Sequence, residues 1–390
     1  MVKKIIGDFK HLSGANCQTS SLRKVLEYYD IELSEPMILG LCSGLGFFYF
    51  YMKRMPFPMI LGLAVKKTEI FERVMAHLGG GVKITETASM NVAHKNLVSL
   101  LERNVPAITF TDFAFLPFFF AEGTPIPNEN AGHFGAHTIV TYGIDEEKDM
   151  AYVSDRYSNP HIMKYKELQL ARASKHAPFP SNNKLVELLI PKKIKDLKEI
   201  IPQAIKANLN YMYNPPIRNM GLKGFQKWQE MLPSWGTQFN NEQLLFGLVS
   251  AFIYMETGGT GGAMFRILYR DFLKEAGELL ANKGLLEASD IFNDVVNKIR
   301  DLEALLLPDN LPNMAKLRSL FLKSNAILER GGSDYQHQLN MINEESTTYT
   351  EEALKELNAW RESISEINKS IQNWADLETH AWETIKKSIR

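Results

Sequence analysis

Strand-like patterning stops at Pro191. Upstream of it lie four short runs, VPAITF (105–110), AHTIVTYGID (136–145), MAYVSD (150–155) and KLVELLIP (184–191). Each combines β-branched or aromatic residues with alternation or continuous apolar character, the mark of buried strands. Gly143 and the turn at Asp145–Lys148 predict that the second and third form a hairpin. Downstream, only helical periodicity recurs, over roughly 195–210, 217–232, 241–256, 263–282, 284–306, 311–329 and 350–389. Helices also precede the strands: CQTSSLRKVLEYYDIEL carries Leu22, Val25, Leu26 and Tyr29 on one stripe, and 67–79 and 92–103 are amphipathic. The glycines of MILGLCSGLGFFYFYM (37–52) argue for tight turns and strands there. A chain of 390 residues exceeds one ordinary core. The division predicts two domains, 1–190 with an α+β arrangement and 191–390 all-α.

The last helical pattern is long. Leu357, Trp360, Ile364, Ile367, Ile371 and Trp374 repeat at three and four residues, the seam of a helix packed on another helix. Packing inside the domain is the simpler destination for that seam; a homodimer is the alternative. Earlier, GGTGG (258–262) precedes an amphipathic helix, where free backbone N–H groups could hold a carboxylate or phosphate. Arg266 and Arg270 share a face of that helix, and Glu256 and Tyr269 could complete a polar cluster. Close helix packing is the competing explanation. No strand precedes the glycines, so they are not a nucleotide fingerprint.

The formal net charge of −1 gives no electrostatic case for nucleic acid as a partner. The start, MVKKIIGDFKHLSG, lacks the apolar core of a secretory signal. The most apolar stretch, VPAITFTDFAFLPFFF (105–120), is broken by Asp112 and Pro117 and too short to span a bilayer; it predicts a buried strand and an apolar loop, and no membrane partner. Two cysteines make no disulfide framework, which points to a reducing, cytoplasmic setting. No Cys/His spacing suits a metal, no Walker loop is present, and no cofactor is expected.

Three residue types stand in suggestive order. Cys17 precedes TSSLRKVLEYY, at the expected first turn of a helix, where the dipole and free N–H groups stabilise a thiolate. Gly14 frees the preceding loop. His137 opens a strand and Asp155 ends the next one, so the hairpin can bring them side by side. A cysteine nucleophile needs a base, and the base an orienting group. Each residue alone is more often structural: an isolated cysteine is usually a small core residue. Cysteine on an early helix, with histidine and Asn/Asp on later strands, is the papain-like order. His133, four residues before His137, competes as base or substrate contact. His137 is preferred because the rigid strand would hold it. His11, six residues before Cys17, or Gln18 could supply an oxyanion donor beside the Cys17 N–H. Cys42, in GLCSGLGF, reads as structural.

GANCQTSSLRKVLEYYDIELSEPMILGLCSGLGFFYF and HFGAHTIVTYGIDEEKDMAYVSDR resemble the opening of the butirosin biosynthesis protein H family. METGGTGGAMFRILYRDFLKEAGELL resembles the helical domain of unknown function that follows in those proteins. The resemblance implies a papain-like cysteine-peptidase fold put to acyl transfer. In the butirosin pathway such a protein moves an aminoacyl group from a carrier-protein thioester to an aminoglycoside amine. It implies Cys17 as the acyl acceptor, His137 as base and Asp155 as orienter, with an acyl carrier protein or acyl-CoA as donor and a small amine as acceptor. Hydrolysis by the same three residues, and a non-catalytic binding protein, stay open.

Overall fold

The computed structural model describes residues 2–389 except 54, 67, 121, 332 and 333. In chain order its elements begin β1 (Lys3–Ile5), α1 (Cys17–Tyr28), α2 (Glu35–Leu41), β2 (Leu45–Phe50), β3 (Met59–Leu63), α3 (Glu69–Leu78), β4 (Gly81–Thr85) and α4 (Met90–Glu102). They continue with β5 (Ala107–Thr111), β6 (His137–Asp145), β7 (Met150–Ser154), β8 (His161–Lys164), α5 (Tyr165–Ala173) and β9 (Leu185–Leu189). Helices follow: α6 (Leu197–Tyr213), α7 (Gly221–Gln238), α8 (Asn241–Phe252), α9 (Arg266–Leu279), α10 (Lys283–Leu306), α11 (Pro312–Arg330), α12 (Tyr335–Ala353), α13 (Leu357–Glu362) and α14 (Ile364–Ser388). The architecture is α+β, an antiparallel sheet early and helices late. Among the described residues no helix is long and apolar enough to cross a membrane.

The contacts sort into two compact units. One holds Met1–Ile38, Lys67–Lys195 and Ala326–Met341; the other holds Leu39–Lys66, Asp196–Asn325 and Ile342–Arg390. A single boundary near 190 therefore does not describe them: two segments cross over. The reason for the first crossing is the apolar character of 37–52. Its first residues complete α2 rather than forming the expected turns and strands. Its end forms a hairpin with β3 that inserts Phe47 and Tyr49 among helices. Phe47 stacks on Phe225 at 3.9 Å and meets Trp374 edge-on at 5.7 Å. The second unit is thus not purely helical.

In the first unit seven strands form an antiparallel sheet in the order β4-β9-β5-β6-β7-β8, with β1 paired to the far end of β6, Lys3 opposite Asp145. β6 is central and all nine of its residues are buried, which a strand covered on both faces requires. α1 lies on it, and Ser21 Oγ donates to the Thr138 carbonyl at 3.3 Å. The apolar run 105–120 becomes β5 and two 3₁₀ turns, Phe113–Phe115 and Pro117–Phe119.

In the second unit the expected seam is consumed internally. Leu357, Trp360, Ile367, Ile371 and Trp374 are wholly buried within the chain. The long helix expected over 350–389 is interrupted by a 3₁₀ turn at Leu354–Glu356 and again at Ser363, and α12 covers 335–349, where no helix was expected. Residues 263–265, expected to be helical, instead run through positive φ at Ala263, Met264 and Phe265, and α9 starts only at Arg266.

Candidate active site

Cys17 is the first residue of α1. The SGANCQTSS sequence explains the start: Asn16 is extended (φ −108°, ψ 138°) and its side-chain oxygen accepts from the N–H groups of Gln18 and Thr19 at 3.0 and 3.2 Å, an N-cap worth about 1 kcal/mol. The Cys17 N–H itself, first of the helix, has no acceptor among the described residues, as expected of a helix start. The loop before it is tightly held. Glu35 is buried and its carboxylate accepts from the N–H of Ala15 (2.8 Å), the N–H of Asn16 (2.9 Å) and Thr19 Oγ1 (2.6 Å). Gly14 donates to the Arg156 carbonyl at 2.7 Å. A Cβ on Gly14 would stand 2.7 Å from Ser20 Cβ, so the loop's close approach to α1 needs glycine.

His137 opens β6 and Asp155 follows β7. Val140 pairs with Ser154 in the antiparallel ladder, so His137 and Asp155 are diagonal neighbours on one face. His137 Nε2 lies 2.7 Å from Asp155 Oδ2, both groups buried. Asp155 Oδ1 accepts from the Arg156 N–H at 2.6 Å. The Cys17 sulfur lies close enough to the His137 side chain and the Thr138 N–H for both to act on its charge. With Nε2 engaged by Asp155, Nδ1 is the ring nitrogen left for the sulfur.

The electrostatics follow from this arrangement. Burial alone would raise the Cys17 pKa; the His137 charge and hydrogen bond and the Thr138 N–H outweigh it and draw the thiol below its ordinary value. Burial would lower the His137 pKa, but the charges of Asp155 and Cys17 raise it. Burial opposes ionisation of Asp155, and His137, the Arg156 N–H and Lys24 nevertheless hold it low. All three shifts favour the charged forms: thiolate, imidazolium and carboxylate. Phe113 and Phe119 stand edge-on to the imidazole with centroids at 6.0 and 5.4 Å. Tyr335 and Gln336, at the start of α12, fix that aromatic turn: the Tyr335 hydroxyl donates to the Phe118 carbonyl at 2.7 Å, and Gln336 Nε2 to the carbonyls of Pro117 (3.1 Å) and Phe120 (2.7 Å).

His11 bonds Ser154 Oγ through Nδ1 at 3.0 Å, and its pKa is lowered by burial and by Lys24. Gln18 is buried in the first turn of α1. His133 is spent on Asp112 (2.8 Å) and Glu129 (2.9 Å) and stacks on His176 at 3.4 Å, which leaves His137 as the histidine beside Cys17. In the second unit Arg266 is fully buried and grips Glu378 at 2.8 and 3.0 Å; Trp374 Nε1 also donates to Glu378, at 2.6 Å. Tyr269 is buried in the same core. Both side chains are fully buried. Arg270 pairs with Asp271 at 2.8 Å. The expected anion nest at GGTGG is filled from within: Glu256 Oε2 accepts the Ala263 N–H at 2.9 Å, and the Gly262 N–H goes to Thr260 Oγ1 at 3.2 Å.

Sequence reasoning missed four residues that shape the site. Asn16 was readable as an N-cap from its place before CQTS. Glu35, Lys24 and Arg156 give no local signal, since their partners are distant in sequence. Lys24 is buried and its ammonium donates to Ser20 Oγ at 3.0 Å and to the Asp155 carbonyl.

Residues 16–156, which contain Cys17, His137 and Asp155, match the family model described as butirosin biosynthesis protein H, N-terminal. Residues 166–313 match a domain of unknown function, DUF4872. No curated protein matches the chain. The sequence thus carries the N-terminal domain of the butirosin biosynthesis protein H family, followed by that domain of unknown function.

Proposed function

We propose that the protein is a cysteine-dependent acyltransferase of papain-like fold, which moves an acyl or aminoacyl group from a thioester donor to an amine through an acyl-Cys17 intermediate. The observation that carries the reading is the 2.7 Å hydrogen bond between His137 and Asp155 with the Cys17 sulfur beside the imidazole. The family description, which names butirosin biosynthesis, supports a biosynthetic role. The placement of cysteine on a capped helix and of histidine and aspartate on neighbouring antiparallel strands supports the fold assignment.

In the proposed reaction the Cys17 thiolate attacks the thioester carbonyl and forms the new C–S bond. The open N–H of Cys17 donates to the developing oxyanion. Collapse breaks the donor C–S bond, and the leaving thiolate takes the proton of the His137 imidazolium. The exchange of one thioester for another is nearly balanced in energy. An amine then attacks acyl-Cys17; neutral His137 takes the amine proton as the C–N bond forms and the thiolate leaves. Asp155 holds the ring and stabilises its cationic form. The aromatic turn beside His137 supports exclusion of water, which transfer needs and hydrolysis does not. The donor is a carrier-protein or coenzyme A thioester and the acceptor a small amine.

Intact-mass measurement tests this with a set of acyl thioesters. An acyl adduct on the wild type, absent in Cys17→Ser with the fold retained, is the expected result; an amine should then discharge it as amide. An adduct that ignores Cys17 sinks the reading. Discharge to free acid at the same rate with and without amine assigns hydrolysis instead.

A further inference from the structure

Arg156 and Tyr157 follow Asp155 directly and are not used by that mechanism. The Arg156 guanidinium is half-buried and anchored at one end, where Nη1 donates to the Ala15 carbonyl at 3.1 Å, two residues before Cys17. Its other side-chain neighbour is the Tyr157 hydroxyl. Its charge is felt at Cys17. The guanidinium lies 5.1 Å from the centroid of the Tyr157 ring. Tyr157 is only 6 % exposed, its neighbour is the Arg156 guanidinium, and its buried hydroxyl meets no acceptor in hydrogen-bond geometry among the described residues. Such a hydroxyl in a native interior calls for a partner. Burial pushes its pKa up to about 12, so it stays a donor at neutral pH. The ring is set by Phe119, centroids 6.0 Å apart, which itself stands against His137. Two carboxylates reach Tyr157 electrostatically, Asp155 and Glu329, and Asp155 is already committed to His137. An anchored cation, a buried hydroxyl with a proton to donate and a neighbouring nucleophile make a donor-rich setting for a negatively charged oxygen.

We propose that Arg156 and Tyr157 form a subsite for an anionic oxygen group of the substrate, a carboxylate or a phosphate, held beside the sulfur of Cys17. The proposal takes Cys17 as the reacting group from the function proposed above. It names a substrate class: donors that carry negative charge close to the reacting carbonyl or on the thiol arm.

Alkylation of Cys17 tests the subsite without acyl transfer. Iodoacetate and iodoacetamide both lose iodide as the thiolate forms a C–S bond, and they differ in charge. The full-length wild type should prefer iodoacetate, by peptide mapping at Cys17. Arg156→Gln should lower the iodoacetate-to-iodoacetamide rate ratio by at least about tenfold, the size of a lost charged hydrogen bond, and Tyr157→Phe by a few-fold. A ratio unchanged in both variants overturns the proposal even if both reagents slow, and so does failure of both reagents to reach Cys17. The source of the charge is then read from acetyl-pantetheine, acetyl-phosphopantetheine and glutaryl-pantetheine. Arg156→Gln should slow acylation by the phosphorylated donor if the subsite takes phosphate, or by the glutaryl donor if it takes carboxylate. An equal effect on all three overturns it. Absence of acylation by any of them counts against the acyltransferase reading, while the alkylation ratio stands or falls alone.

Discussion

The sulfur of Cys17 is pulled toward ionisation by His137 and the Thr138 N–H against the cost of its burial. Asp155 acts on it indirectly, by keeping the imidazole cationic. This sets the expected pH dependence. The thiol pKa is lowered, so thiolate persists down to a pH below the ordinary thiol value. The His137 pKa is raised, so imidazolium persists above the ordinary histidine value. The reactive pair exists between those limits, and the rate of Cys17 alkylation or acylation should rise through the depressed cysteine pKa. Asp155→Asn removes the charge that holds the imidazolium. The acid limb should then move up toward the free thiol value of about 8.5, and acylation should fall by roughly two to four orders of magnitude. Stopped-flow alkylation across pH, on wild type and variant, checks both; an acid limb that stays in place in Asp155→Asn shows that the aspartate does not tune the sulfur. His133 offers the contrast. Two carboxylates hold its ring, so His133→Gln should leave that profile in place.

At the scale of elements, the helix carrying the sulfur and the strand pair carrying the base must keep register. Lys24 is the brace: from α1 its ammonium reaches the carbonyl of Asp155 at the end of β7, with Glu35 and Asp155 the nearby acids. Burial is the largest influence on it and lowers its pKa to about 8, against the pull of those acids. The unfolded chain, with an ordinary lysine, binds more protons than the native chain between about pH 8 and the ordinary lysine value. Wild-type stability should therefore gain a contribution as pH rises through that window, and Lys24→Met should lack it. The difference in Tm between the two, followed by calorimetry from pH 7 to 10, checks this; a constant difference removes Lys24 as its source. The same variant should lower acylation of Cys17 without shifting its amine preference, because it loosens the placement of Asp155 and touches no substrate. None of this brace was legible in the sequence. The order Cys17, His137, Asp155 was, because a helix start, an alternating strand and a hairpin are all local patterns. Lys24 and Glu35 act across sequence gaps that no local pattern reports. Local periodicity also misled at Met264, which sits at helical spacing from Leu268 yet has positive φ (53°), beside Ala263, whose N–H donates to the Glu256 carboxylate.

At the scale of the molecule, the change of pattern at Pro191 gave the two-part character, and the crossings were hidden because they depend on which apolar surface finds a partner. Residues 39–66 deliver Phe47, Tyr49 and Phe57 to a core built with Phe225, Trp228 and Trp235. Residues 326–341 return Tyr335 and Gln336 to the aromatic turn beside His137. A cut at the end of the sheet region therefore severs both. A fragment of residues 1–195 would expose the β2–β3 hairpin, forfeiting about 1.5–3 kcal/mol for each large side chain left without its core, and would lose the donors that hold Pro117–Phe120. It should aggregate or bind a hydrophobic dye strongly. Co-expression with residues 196–390, which hold the core that receives Phe47, should restore soluble protein. Replacing 39–66 in the short fragment with a flexible linker should restore solubility but not the reactivity of Cys17, since residues 326–341 are still missing. Gel filtration and dye binding of the three preparations decide it. A monomeric 1–195 fragment with one cooperative unfolding transition would show that the hairpin is dispensable to the helical core and that the chain divides in sequence order after all.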